Sequence, residues 1–454
     1  MLHPAEAVPL PDGTLPSPTI YQPRRLLVPR AMLSDGGAAE VLRDVLLDLR
    51  LTFTSDPKAM PADLVPIDLL PHPDLPPNTP IDAWTALRAL RSTDRGQGTR
   101  FAELAHRLGL RHLLSAATFP GQDVATRRMT GGPGGMEGHY EEATGRRPVR
   151  LPMAVPALRA GAPPHRRPVV AVLDSGCGQH PWLDTESTDP FVVRCQPEPP
   201  FPDPELMADI VDPLRGELDS HCGHGTFVTG IIRQLAPDAT VWSYRVMQSD
   251  GVVDEHHLDA VLTSIAEEVW YAQQHGVPGS FVDLVLMPFG GYFEDEAPLL
   301  HAALTRLDSL GVGLVAAAGN DASTVPHYPA AFDEVVGVGA STRTGVPSIY
   351  SNAGANANVE APGYALVSTL PQGRDGSRNP VHRTHTEPCR ESFDPDRFAT
   401  GFGTWSGTSF AAAMFAGRVA AELWSSDDLA DITPAGADRR WTAAVAAVSG
   451  VPWS

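Results

Sequence analysis

Three short segments carry side chains that could act together on a carbonyl group. The run Val-Val-Ala-Val-Leu-Asp-Ser-Gly ends at Gly176 and supplies a carboxylate, Asp174. His-Gly-Thr-Phe-Val-Thr-Gly begins at His224, and Gly-Thr-Ser-Phe-Ala-Ala-Ala begins at Gly407 with Ser409 in third place. A serine hydroxyl is a weak nucleophile until a base takes its proton, and an imidazole needs a third group to fix its tautomer. Asp174, His224 and Ser409 are therefore candidates for nucleophilic catalysis through an acyl-enzyme that water then cleaves. Asp-Ser-Gly alone is a common turn and carries no weight. Three such motifs in one chain do.

The elements that must position these groups are legible nearby. Asp174 closes an apolar run, Val169–Leu173, of the kind a central parallel strand needs. Open α/β sheets place their ligands at that end of their strands. The segment His224–Leu235 can be helical once Gly225 has made the turn. Ser409 stands at a Gly-Thr-Ser turn before a helix-favouring run, Phe410–Leu423. At such a helix start the dipole favours negative charge, and the first-turn N–H groups lack internal partners.

In these motifs, and in the chain order Asp, His, Ser, the sequence resembles the subtilisin-like serine proteases, the subtilase family. The resemblance covers about residues 167–425. It implies a serine endopeptidase with Asp174, His224 and Ser409 as its triad. It also implies an oxyanion-hole asparagine at Asn320, which ends Ala-Ala-Ala-Gly-Asn. The Ser409 N–H and the Asn320 amide would together face the carbonyl oxygen as it gains charge. Substrate would bind by strand addition along Pro288, Phe289 and Gly290, with the loop around Gly251 as the opposite edge. Asp321 and His327 would lie near the pocket for the residue before the cut.

Two positions depart from the family's usual pattern. Ala413 replaces a proline four residues after the nucleophile, which suits a helix. Met287-Pro288-Phe289-Gly290 stands where Ser-Leu-Gly is usual; proline keeps its carbonyl but has no N–H to donate, and sheet edges tolerate it. Acid proteases of the sedolisin type share the Gly-Thr-Ser context but use carboxylates in place of histidine, so His224 argues against them. The alternative function class is a catalytically silent or highly restricted peptide-binding module on the same scaffold.

Strand candidates at Val169–Leu173, Val241–Val246, Phe281–Met287, Gly313–Ala317 and Val335–Val338 alternate with helical patterns such as Leu258–His275 and Pro298–Leu310. This predicts an α/β fold over residues 168–454, a doubly wound and mostly parallel sheet. A smaller α+β domain is expected before it, over residues 24–127. Its strands fall at Arg25–Pro29, Leu51–Thr54 and Leu64–Leu70, and its helices at Ala38–Leu49, Ile81–Leu90 and Phe101–Leu108. Residues 1–23 read as an extended arm, and residues 128–167 as an exposed linker rich in Gly, Pro and Arg. By its position the N-terminal domain is either a removable prodomain that inhibits the site intramolecularly or a permanent adaptor that recruits substrate; both stay open.

The 454 residues are 42% hydrophobic and carry a formal charge of −20, which supports a core and argues against nucleic-acid binding. No basic stretch followed by a long apolar run opens the chain, and none reaches the roughly 18 apolar residues of a membrane span. A cytoplasmic protein with reduced thiols is expected, a bridge between Cys177 and Cys222 staying open for an exported one. The expected partner is a protein or peptide substrate, with neither nucleic acid nor membrane. No cofactor is required by the chemistry, and a structural calcium, common in the family, has no ligand run to mark it. His382, His385 and Cys389 lie in a long insert, residues 371–403, but lack a fourth ligand, so no metal site is assigned.

Overall fold

The computed structural model describes residues 19–55, 64–95, 99–116, 146–149, 153–158, 166–196, 199, 201, 203–206, 218–294, 297–373 and 398–449. His382, His385 and Cys389 lie outside the described residues, as does most of the 1–23 arm. The chain divides into two compact units, Met1–Leu113 and Leu114–Ser454.

The first unit runs β1 (Tyr21–Pro29), α1 (Gly36–Asp48), β2 (Leu51–Ser55), β3 (Leu64–Pro71), α2 (Ala83–Ser92) and β4 (Gly109–Ala116). Its strands form an antiparallel sheet in the order β4-β1-β3-β2. Asp35 and Asp82 cap the two helices by accepting from Ala38 N and Thr85 N, which satisfies donors a helix start leaves free. Leu26, Val28, Leu42, Leu46, Ile67 and Leu87 form its core. In place of one helix over Phe101–Leu108 there is a short helix, Arg100–Leu104, followed by a tighter turn. The last three residues of β4, Leu114–Ala116, belong to the larger unit.

The larger unit continues with β5 (Arg147–Pro148), β6 (Val169–Asp174), β7 (Val192–Arg194), α3 (His224–Leu235), β8 (Thr240–Arg245) and β9 (Val252–Asp254). Next come α4 (Glu255–His275), β10 (Leu284–Met287), β11 (Phe289–Gly290), α5 (Pro298–Ser309), β12 (Gly313–Ala317), β13 (Val336–Ser341) and β14 (Val359–Pro362). It ends with β15 (Leu366–Thr369), β16 (Phe402–Trp405), α6 (Thr408–Trp424) and α7 (Pro434–Ser449). Seven strands form one parallel sheet in the order β14-β13-β12-β10-β6-β8-β7.

Alternation along β6 explains why helices cover both faces. Val170 and Val172 enter a core with Phe227, Ile231 and Ala412 from α3 and α6. Val169, Ala171 and Leu173 enter a second core with Val261 and Leu304 from α4 and α5. The strand order reverses at β6, so its carboxyl end is the switch point of the sheet, where a crevice opens. Asp174 occupies that end.

Two parts of the expected linker are built into this unit, which an exposed connector would not be. β5 pairs antiparallel with β16, just before Ser409. Arg166 is buried and forms a two-bonded ion pair with Asp283, at 2.6 Å for each contact.

Candidate active site

The local sequence fixes the imidazole first. Gly223 caps α3 in a left-handed conformation (φ 85°), so His224 can open the helix. Gly225 lies so close to the Asp174 loop that an added Cβ would sit 2.1 Å from the Gly176 carbonyl oxygen. The pair His-Gly is thus a steric requirement. His224 Nδ1 lies 2.7 and 2.9 Å from the two Asp174 oxygens, with both side chains fully buried. Asp174 also accepts from Ser175 N at 2.7 Å. With Nδ1 donating to the carboxylate, Nε2 is the basic nitrogen; it is buried and has no hydrogen-bond partner. Trp405 and Phe410 pack around the ring.

Ser409 is the second residue of α6, reached through Gly407. Its hydroxyl donates to the Pro288 carbonyl at 2.6 Å and makes no hydrogen bond to His224 Nε2. Catalytic hydrogen bonds of this type often close only when substrate binds. Asn320 Oδ1 accepts from the Thr408 N–H at 3.0 Å and the Thr408 hydroxyl at 2.9 Å. These two donors fix the amide's orientation and leave Nδ2 as a buried donor without a partner beside Ser409. An unmet donor at this place can serve a developing oxyanion.

The segments around Phe289–Gly290 and Gly251 lie on either side of one strand. Phe289 and Gly290 pair antiparallel with Ala116 and Ser115, and Ala116 N donates to the Gly251 carbonyl at 2.8 Å. The segment Leu114–Ala116 therefore lies as a strand between β11 and the Gly251 loop. Gly251 (φ 86°) has no room for a Cβ, which would meet the His221 ring at 2.5 Å.

His327 and Asp321 fall next to this edge. The His327 ring touches Gly290, where an added Cβ would meet its Cε1 at 2.3 Å, and it packs edge-on against Tyr292. Burial lowers its pKa to about 4, outweighing the nearby Asp321 charge. The imidazole is neutral at ordinary pH. Asp321 accepts from the Tyr292 hydroxyl at 2.9 Å.

Several residues at the site had no sequence motif of their own. Arg146 donates to the carbonyls of Asp219 and Cys222 and lies over Trp405 and Phe398, holding the loop before His224. His221 stands beside His224, and burial lowers its pKa to about 3. Glu205 is buried behind Asp174, bonded to Ser175 and Thr226. Ser175 alone was foreshadowed, by standing next to Asp174. Cys177 and Cys222 are buried and form no disulfide.

Comparison with known proteins identifies the family. The family model described as "Subtilase family" matches residues 165–439, more than half of the chain. Minor extracellular protease Epr of Bacillus subtilis (strain 168) is 30% identical over 205 residues, 43% of this chain and 26% of that protein. Subtilisin DY of Bacillus licheniformis is 30% identical over 170 residues, 35% and 57% respectively. The intracellular serine protease of Paenibacillus polymyxa is 26% identical over 266 residues, 55% and 65%. The chain thus spans 26–65% of the lengths of these three relatives. No helix among the described residues is long and apolar enough to cross a membrane.

Proposed function

The chain belongs to the subtilase family, and from that premise we propose that it is a serine endopeptidase working through Asp174, His224 and Ser409. The observation that carries this reading is the buried Asp174–His224 pair, with an unpartnered Nε2 and its ring 5.3 Å from that of Phe410, which follows Ser409 in α6. His224 takes the Ser409 proton as Ser409 attacks the peptide carbonyl. The oxyanion is met by Asn320 Nδ2 and the N–H at the helix start. His224 then gives its proton to the leaving amine, and Asp174 balances the imidazolium. Water cleaves the acyl-enzyme by the same route in reverse. Side chains and water supply every step.

The N-terminal region acts as an intramolecular inhibitor in this reading. The support is Leu114–Ala116, which fills the strand position that a substrate needs. A peptide continued in this register past Ala116 would stand opposite Pro288, whose carbonyl holds the Ser409 hydroxyl. Self-cleavage shortly after Ala116 would then release the inhibitor.

Intact mass before and after a fluorophosphonate probe, with Ser409→Ala alongside, tests both parts. One adduct on wild type and none on the variant supports an activated serine. A new amino terminus shortly after residue 116, seen only in wild type, supports removal of the inhibitor. A folded wild type that neither takes the probe nor cleaves denatured protein at any pH is a silent peptide-binding module instead.

A further inference from the structure

Asp174 shares one hydroxyl with a second buried carboxyl group. Ser175 Oγ lies 3.1 Å from Asp174 Oδ1 and 2.5 Å from Glu205 Oε1, and it accepts the Gly225 N–H at 2.9 Å. The other Glu205 oxygen, Oε2, accepts from the Thr226 hydroxyl at 2.5 Å. Thr226 donates there, while its oxygen receives the Gly178 N–H at 2.7 Å. Glu205 is 1% exposed and Asp174 is fully buried.

A count of protons decides the arrangement. Ser175 has one O–H and two carboxyl neighbours. With both carboxyls ionised, one carboxylate oxygen, at 2.5 or 3.1 Å, would face a lone pair of Ser175 in a dry site, which is costly. A proton on Glu205 Oε1 removes the conflict. Glu205 then donates to Ser175, Ser175 donates to Asp174, and Asp174 accepts from His224. Each contact in this series then pairs one donor with one acceptor.

Resting on the triad reading above, we propose that Glu205 is a positioning residue that stays protonated during turnover and passes a hydrogen bond through Ser175 to Asp174. The cluster then carries a single negative charge, which the imidazolium of His224 balances in the transition state. An ionised Glu205 would put a second negative charge behind Asp174, which a single imidazolium could not balance.

The surroundings agree. Burial, and then the charges of Asp174 and Asp203, outweigh the bonds from Ser175 and Thr226 and push the Glu205 carboxyl up to about 7. Arg245 pairs with Asp203 at 3.0 Å, and Arg194 donates to the Cys177 carbonyl. The Cys177 thiol, raised to about 12 by burial, is neutral.

The test compares Glu205→Gln with Glu205→Ala in the full chain. Glutamine can donate to Ser175 and accept from Thr226, so it reproduces the pattern of a protonated Glu205. Its kcat/KM should stay within about threefold of wild type, while the pH profile loses an ionisation step that wild type has. Alanine should lower kcat at least tenfold with little change in KM. Infrared difference spectra in the Ser409→Ala background read the proton directly and need no turnover. Wild type minus Glu205→Gln should show the carbonyl stretch of a neutral carboxylic acid at pH 6.

Absence of that band, or a glutamine variant as impaired as alanine, overturns the proposal. If alanine fails to fold, the band and the glutamine kinetics still decide it. A protein that shows the band yet neither labels nor turns over would sink the triad reading and leave Glu205 protonated as described.

Discussion

Ser409 donates its hydroxyl to the carbonyl of Pro288 at 2.6 Å, and not to His224, its base in the proposed mechanism. Strand geometry gives that carbonyl a second use. Ala116 points its N–H away from β11, to Gly251, so Ala116 and Phe289 form a pair without mutual hydrogen bonds. The next residue of any peptide in this register stands opposite Pro288 and directs its N–H at the Pro288 carbonyl. Substrate would then displace the serine hydroxyl and free it to turn to His224. A peptide N-methylated at the residue before the cut should lose at least tenfold in kcat/KM, while methylation two residues further back should matter less. Equal losses at both positions would count against this exchange.

Asn320 offers a sharper separation of binding from chemistry. Its Oδ1 is committed to Thr408, and its Nδ2 is buried without a partner, as the proposed oxyanion role requires. Asn320→Ala should therefore lower kcat by about 10²–10³-fold and leave KM within a factor of a few. That magnitude is the one known for subtilisin, not one obtained from this structure. Steady-state kinetics on a peptide ester and a peptide amide would check it. A rise in KM with unchanged kcat would mean that Asn320 binds substrate and does not serve the transition state.

The parallel sheet and the Asp174–His224 pair were legible because each is written in local sequence. Apolar runs such as Val169–Leu173 and Gly313–Ala317 can hardly be other than buried strands. β4 was missed for an equally physical reason. Its inward positions are Leu110, His112, Leu114 and Ala116, all buried, and the histidine among them breaks the apolar alternation. Glu205 was invisible because its partners, Ser175 and Thr226, are 30 and 21 residues away and no spacing announces them. Arg146 and Arg166 were hidden by composition: Gly, Pro and Arg suggest an open chain, and only tertiary partners such as Asp283 show otherwise.

The Arg166–Asp283 pair should matter for stability more than for chemistry. Arg166 makes two bonds to Asp283 and one to the Leu429 carbonyl, while Asp283 also accepts from Val169 N at the start of β6. Removing the guanidinium leaves a buried carboxylate with Arg440 at 3.7 Å as its remaining ion-pair partner. Arg166→Ala should cost about 3 kcal/mol. Urea unfolding in the Ser409→Ala background, where self-digestion is absent, would measure it. A loss below about 1 kcal/mol would show that Arg440 takes over the pair.

Buried histidines should make the fold sensitive to acid. His221 and His327 have pKa values lowered to about 3 and about 4, against about 6.5 for a free imidazole. Between those values the unfolded chain binds protons that the native state refuses, so their stabilising effect is complete above pH 6.5 and is lost as pH falls towards 4. Glu205 works the other way: with its pKa raised to about 7, the native state keeps a proton that the unfolded chain gives up above about 4.5. From pH 6.5 to 5 the two histidines outweigh the single carboxyl. Their net effect is a loss of about 2 kcal/mol in unfolding free energy. Urea titrations of Ser409→Ala across this range should show stability falling with pH. The same protein carrying His221→Gln and His327→Gln should show the slope flattened or reversed, and an unchanged slope would assign the acid sensitivity to other groups.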